Sequence, residues 1–383
     1  MDSELPSLLY VGFKAVLARL RAPFRRSRPV APTRILIAPH LRLGDALLLT
    51  PLLAKLRDHY PTAQIVLVCA PPLLGLYQTR PYGVTVWPYH PRQLKTVAAM
   101  LADPGFDLAI IPGDNRHVWL ASALRAKWIV AHAGGGAFKN WLADELVDYP
   151  DQPASMAEIF ATLCPGAAPR LFQQGDWPQP ECTPFELPPQ PYAVLHVGAS
   201  TPLKYWPALY WRELAGWLAK RGITPVWSGG PGEGDLVAQV DPAGQYPNYA
   251  GQLDLAQVWA LMAKAALFVS PDTGVAHLAR LTGVPAVAIF GPADATLFGK
   301  GEFWGEAPCL EVGKGPFPCR NQHRVFERYR AWINTCNRSV RDCQQPGACM
   351  GAVEPVTLIE AIQSLWSAHP PKAHATDQLQ VSE

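Results

Sequence analysis

ALFVSPDTGVAHLARLTGVPAVAIFGP, residues 266–292, decides how this chain folds. Residues 266–270 are a short, continuous apolar run, the mark of a strand buried on both faces in a parallel sheet. Pro271-Asp272-Thr273-Gly274 interrupt it, 275–282 repeat with helical spacing, and 286–290 form a second apolar run. A strand, a small-residue turn and a helix N-terminus present free backbone N–H groups and the positive end of a dipole, a ready anion site. His277 comes one turn into that helix, as either a satisfied core histidine or a group facing a ligand.

The same alternation extends through the 383 residues. Apolar runs at 34–39, 65–69, 84–87, 107–111 and 127–131 come first, with helical stretches between them, among them 46–60. A second series follows at 193–197, 225–228, 266–270 and 286–290, with helices expected at 208–221, 255–264 and 275–282. Strands alternating with helices predict parallel, doubly wound α/β sheets. Prolines crowd 178–191, stiffening an exposed segment and marking the boundary between two domains.

The expected organisation is a basic head over 1–33, a Rossmann-like domain over 34–177, the proline linker, and a second domain over 192–354. That second domain carries a cysteine-containing insert at 309–350. A last helix at 355–368 is expected to cross back to the first domain, and 369–383 form a polar, disordered tail. Ligands in such sheets sit at the carboxyl ends of the strands, which predicts a cleft between the halves.

Apolar residues at 49% and charged residues at 17% exclude a disordered chain, and no run of 18 apolar residues offers a spanning helix. Eight cysteines are no disulfide scaffold at this length. The N-terminus lacks the pattern of a secretory signal, so a reducing, cytoplasmic setting is expected. The net charge of +2 conceals an asymmetry. Residues 1–34 hold seven basic residues against Asp2 and Glu4, a local +5 on a body of −3, which argues against a nucleic-acid-binding surface. Within the head, Leu5, Leu8, Leu9, Phe13, Val16, Leu17 and Leu20 trace one helical stripe, Pro23 ends it, and Arg25, Arg26 and Arg28 follow. Such a helix either packs on the protein body or lies on an anionic membrane face.

Three turns after strands hold groups that could do chemistry. In His40-Leu41-Arg42-Leu43-Gly44-Asp45, Gly44 permits close backbone approach, and Asp45 is either a helix cap or a general base. Ser200 and Thr201 follow the strand at 193–197, and Lys204 beyond them is a solvated lysine or a cation for a diphosphate. In Ser228-Gly229-Gly230-Pro231-Gly232-Glu233 there is no GxGxxG spacing. The segment is an ordinary glycine loop, or Glu233 accepts from a ribose diol.

Together HLRLGDALLLTP, HVGASTPLKYWP, GGPGE and PDTGVAHLARLTGVPAVAIFGP, in this order and spacing, resemble glycosyltransferase family 9, the ADP-heptose:lipopolysaccharide heptosyltransferase-like family, over roughly 34–362. The resemblance implies an α/β GT-B fold, two Rossmann-like domains facing across a cleft, with acceptor on the N-terminal domain and donor on the C-terminal one. It implies Asp45 as the base that deprotonates the acceptor, with Arg42 and Gly44 on the acceptor side. Lys204 would act on the donor phosphate, beside Ser200 and Thr201. Asp272, Thr273 and Gly274 would cradle the diphosphate with His277 nearby, Glu233 would hold the ribose, and Leu253 would pack on adenine.

The implied reaction is inverting, metal-independent and cofactor-free. Heptose passes from ADP-heptose to a lipid-linked saccharide of the lipopolysaccharide core, on an enzyme peripheral to the inner face of the cytoplasmic membrane. No DxD-type carboxylate pair stands at a strand end. The alternatives are another nucleotide sugar, a protein acceptor, an epimerase, or a non-catalytic nucleotide-sugar-binding protein, which would need no base at position 45. Cys319, Cys336, Cys343 and Cys349 are spaced C-x16-C-x6-C-x5-C without a CxxC pair, a weak metal pattern beside a disulfide or plain thiols. Residues 320–332 form a basic, aromatic insert.

Overall fold

The computed structural model describes residues 5–21 and 26–370. Pro23, Arg25 and the expected disorder beyond residue 370 lie outside them. The chain divides into two compact units. The first runs to Pro180 and takes in Gly301–Phe303 and His323–Ile333; the second comprises Glu181–Lys300, Trp304–Gln322 and the chain from Asn334.

The first unit is built on β1 (Arg34–Ile37), β2 (Gln64–Cys69), β3 (Val84–Pro88), β4 (Leu108–Ile111), β5 (Trp128–His132) and β6 (Glu145–Val147), all parallel in the order β3-β2-β1-β4-β5-β6. Ile35, Leu36 and Ile37 are fully buried, so β1 shows no polar alternation. The short, half-exposed β6 has no such signature and is absent from the sequence reading. The helices are α1 (Leu5–Arg21), α2 (Leu43–Leu47), α3 (Thr50–His59), α4 (Leu94–Leu101), α5 (Val118–Ala123), α6 (Ala137–Asn140) and α7 (Met156–Ala161). The expected helix over 46–60 is thus two. Pro51 has no N–H for the carbonyl of Leu47, and the Thr50 hydroxyl donates to that carbonyl instead (2.6 Å).

The second unit holds β7 (Tyr192–His196), β8 (Thr224–Ser228), β9 (Leu267–Pro271), β10 (Ala286–Phe290) and β11 (Cys309–Gly313), parallel in the order β11-β10-β9-β7-β8. Its helices are α8 (Ala208–Ala219), α9 (Gly234–Val240), α10 (Leu255–Ala263), α11 (Gly274–Thr282), α12 (Ala295–Phe298), α13 (Ala348–Gly351) and α14 (Pro355–Ala368). Strand order reverses between β1 and β4 in the first sheet and between β7 and β9 in the second. Such reversals open a crevice at the strands' carboxyl ends.

Two expectations need correction. The last helix does not cross back: Leu358, Ile362 and Leu365 of α14 enter the second unit's core, and Trp366 stacks on Trp217 of α8 with ring centroids 5.8 Å apart. The insert over 309–350 is not wholly part of the second unit, because His323–Ile333 pack into the first. In α1, the apolar stripe is not the buried face. Ser7, Val11 and Ala15 are the buried line against α5, where the Ser122 hydroxyl donates to the carbonyl of Ala15 (3.2 Å). Leu9, Phe13 and Leu20 remain 65%, 63% and 79% exposed. Part of the basic head is internal as well, since Arg19 and Arg26 both pair with Asp144 and Arg28 pairs with Glu145.

Candidate functional site

At the first unit's reversal, the chain leaves β1 through Pro39 and His40 and enters α2. Gly44 and Asp45 lie inside that short helix rather than in the turn before it, and its N-cap is Arg42, whose side chain is exposed. Asp45 is therefore not a cap. His40 Nδ1 donates to Asp45 Oδ2 (2.9 Å), and both side chains keep some solvent contact. The carboxylate so held keeps an oxygen for a second proton. The loop after β4 supplies His117, whose Nδ1 donates to the carbonyl of Pro39 (2.7 Å) and ties the two crevice loops together. Burial pushes the His117 imidazole down to about 4, so it is neutral there. His40 and His117 are partners that sequence reasoning missed; the adjacency of His40 to Asp45 was visible in the motif, that of His117 was not.

A groove of about 890 Å³ is lined by Leu9 and Phe13 of α1, by Trp119 and Phe138 opposite, and by His40 and His117. Trp119 stacks on Phe138 (4.8 Å) and meets Trp141 (5.7 Å); Phe138 and Trp141 are 71% and 65% exposed.

At the second unit's reversal, Thr201 caps a short turn over Pro202–Lys204 by accepting from Leu203 N, and Ser200 beside it is exposed. The turn aims Lys204 at the loop between β9 and α11. Its Nζ donates to Asp272 Oδ2 (2.7 Å) and to the carbonyl of Asp272 (2.8 Å). Asp272 is buried and carries a negative charge, so its carboxylate fixes the ammonium rather than cradling an anion itself. Thr273 is the N-cap of α11 without a side-chain capping bond, and Gly274 is its first residue. Thr273 Oγ1 and His277 Nδ1 are both buried and unpartnered. Burial, with Arg280 and Lys204 as neighbours, holds His277 well below the ordinary imidazole value, so it is neutral. Two orphaned polar atoms beside a free helix N-terminus and a cation suit an anion with several acceptor oxygens.

The loops after β7 and β8 meet through Glu233. Its carboxylate accepts from Gly230 N (2.5 Å) and lies across Gly198, where an added Cβ would fall 1.6 Å from Oε2. Gly251 N donates to the carbonyl of Gly229 (3.0 Å), bringing the segment with half-buried Leu253 beside the same loop. Second-unit positions 200, 201, 204, 233, 253, 272–274 and 277 thus gather at the carboxyl ends of β7, β8 and β9, whereas 42, 44 and 45 belong to the first unit.

Cys319, Cys336, Cys343 and Cys349 line one cavity of about 390 Å³ as free thiols. Among the described residues, no three His, Cys, Asp or Glu side chains are grouped as a metal site.

Two Rossmann-like α/β units, the second with an anion-ready helix terminus at its strand reversal, define a GT-B-type fold. The model of the family described as Glycosyltransferase family 9 (heptosyltransferase) matches residues 159–329. Lipopolysaccharide heptosyltransferase 1 of Pseudomonas aeruginosa is 32% identical over 156 residues, 37% of this chain and 43% of that protein. The chain thus spans less than half the length of that relative. The solved structure of Escherichia coli ADP-heptose lps heptosyltransferase II is similar with a TM-score of 0.64 at 18% identity, covering 87% of this chain and 98% of that one. Escherichia coli heptosyltransferase WaaC with ADP is similar with a TM-score of 0.64 at 19% identity, over 87% and 99%. The chain is thus similar to heptosyltransferases of glycosyltransferase family 9, in sequence over these stretches and in fold over most of its length.

Proposed function

We propose that this protein is an inverting glycosyltransferase that moves heptose from ADP-heptose to a saccharide of the lipopolysaccharide core. The observation that carries the reading is the second unit's anion site: Lys204 fixed by Asp272 at the N-terminus of α11, with Thr273 Oγ1 and His277 Nδ1 buried and unpartnered. The names of the relatives, which include an ADP complex, supply the donor class.

In this mechanism Asp45 takes the proton of the acceptor hydroxyl as its oxygen bonds to the anomeric carbon from the face opposite the leaving group. The bond from that carbon to the phosphate oxygen breaks, and ADP leaves with the electron pair. Lys204 and the amides at the start of α11 stabilise the developing charge, the part a divalent metal plays in other transferases. Glu233 holds the ribose diol and Leu253 lies under the adenine. His40 keeps the Asp45 carboxylate oriented, and a base so placed contributes about 10²–10⁴-fold.

Peripheral attachment to the inner face of the cytoplasmic membrane belongs to the same reading. It is supported by the outward apolar face of α1 and the exposed Phe138 and Trp141. No helix among the described residues is long and apolar enough to cross a membrane.

The test follows ADP release from ADP-heptose with a heptose-free, de-acylated lipopolysaccharide core as acceptor. Asp45→Ala is expected to lose about 100-fold or more in turnover. Turnover at the wild-type rate in that variant overturns the mechanism, and release from uridine or guanosine donors alone overturns the donor.

A further inference from the structure

The insert at 320–332 has no part in the reaction described above, yet its tip stands near His40, the partner of the candidate base. Arg324–Val325 and Arg328–Tyr329 pair as a two-stranded antiparallel hairpin whose turn residues are Phe326 and Glu327. Both have positive φ, 46° and 65°, in a turn that ordinarily takes Asn and Gly. A bulky aromatic in that conformation is strained, and such strain persists where the side chain has a task.

Arg328 bolts the hairpin into the first unit. It is only 4% exposed, and its guanidinium donates to the carbonyls of Ala133 (2.6 Å), Gly113 (2.8 Å), Phe326 (2.9 Å) and His132 (3.0 Å) and to Asn115 Oδ1 (2.8 Å). The receiving backbone is glycine at positive φ: a Cβ at Gly134 would meet the Arg328 side chain at 3.1 Å, and one at Gly113 would meet the Phe326 ring at 3.2 Å. Lys139 latches the tip from outside, pairing with Glu327 (3.0 Å) and Asp114 (3.4 Å). So held, the half-buried Phe326 ring lies over the loop after β4, with its centroid 6.5 Å from that of His40, the partner of Asp45.

We propose that this hairpin is an acceptor-positioning element, in which Phe326 offers its ring to the apolar C–H face of the acceptor saccharide and Arg328 fixes where that ring stands. The inference rests on Asp45 marking the acceptor side. It adds a residue, encoded far along the chain, that decides how the acceptor lies against the base.

The experiment measures equilibrium binding of the de-acylated core to the full chain in an Asp45→Asn background, where no turnover interferes, alongside calorimetric ADP binding. Phe326→Ala and Phe326→Leu are expected to weaken core binding roughly tenfold, Phe326→Tyr to restore it, and ADP affinity to stay unchanged. Leu keeps apolar bulk beside Phe160, whose ring centroid lies 6.5 Å from that of Phe326, but removes the ring. Unchanged core binding in the Ala variant overturns the proposal. So does recovery by Leu, or a parallel loss of ADP affinity that Tyr does not rescue. Turnover persisting in Asp45→Asn would sink the base instead, leaving the Phe326 comparison to be read as binding.

Discussion

Asp272 and Lys204 are 68 residues apart and meet at 2.7 Å, which reassigns the aspartate. A buried carboxylate repels a diphosphate, so in the proposed reaction its use is to hold the Lys204 ammonium in place. Lys204→Ala is expected to lower turnover on the order of 10²–10³-fold. Asp272→Asn should lose less, because the cation remains and only its placement loosens. Rates of ADP release for both variants decide the order, and an equal or larger loss in Asp272→Asn would contradict it. The residue types at this site were legible in the sequence, since a strand followed by Asp-Thr-Gly and a helix is a pattern able to receive an anion. The partners were not: neither the fold of Lys204 back onto Asp272 nor the tie from His117 to Pro39 leaves a trace in local pattern.

Among the elements, α1 separates what periodicity can and cannot tell. The stripe from Leu8 to Leu20 announced a helix, but periodicity alone does not say which way a stripe faces. Here the small residues beside it decide, because Ser7, Val11 and Ala15 let the helix sit close on α5. The triple variant Leu9→Ser, Phe13→Ser, Leu20→Ser is expected to reduce sedimentation with phosphatidylglycerol vesicles while leaving the melting temperature unchanged. Removing α1 altogether is a different perturbation. It strips Val11 and Ala15 from the core and takes Arg19 from Asp144, whose carboxyl is already pushed up by burial, so stability should fall. Vesicle binding unaltered in the triple variant would defeat the membrane reading. The strands that escaped the sequence, β6, β11 and the Arg324–Tyr329 hairpin, are short or half-exposed, so their burial imposes no clear period on the chain.

For the whole molecule, both sheets place their polar groups at a reversal of strand order, and this much followed from alternation alone. Packing hides several histidines near those crevices. Burial holds His117 and His196 down to about 4 and His132 down to about 3, so the folded protein keeps them neutral. The unfolded chain takes up protons on them below about pH 6.5, and the folded one does not until far lower. Their contribution is therefore complete above about pH 6.5. It is lost as pH falls toward 4, by up to about 1.4 kcal/mol per pH unit for each group. Urea midpoints measured from pH 8 to pH 5 should drop over the lower part of that range, and a flat profile would show that the imidazoles are not buried neutral. The division of the chain was the least legible feature, because nothing in 320–332 says that it leaves the unit it follows.

That departure sets an order of assembly. On a ribosome, a chain's first half ordinarily folds while the second is still being made. Here the carbonyls of Gly113, His132 and Ala133 and the amide of Asn115 wait for a guanidinium some 200 residues downstream. The first unit can lay down its sheet early, but its crevice closes only after Arg328 has been synthesised. The first unit begins first and is finished late, so a prematurely terminated chain would carry its sheet without the hairpin that packs over its crevice.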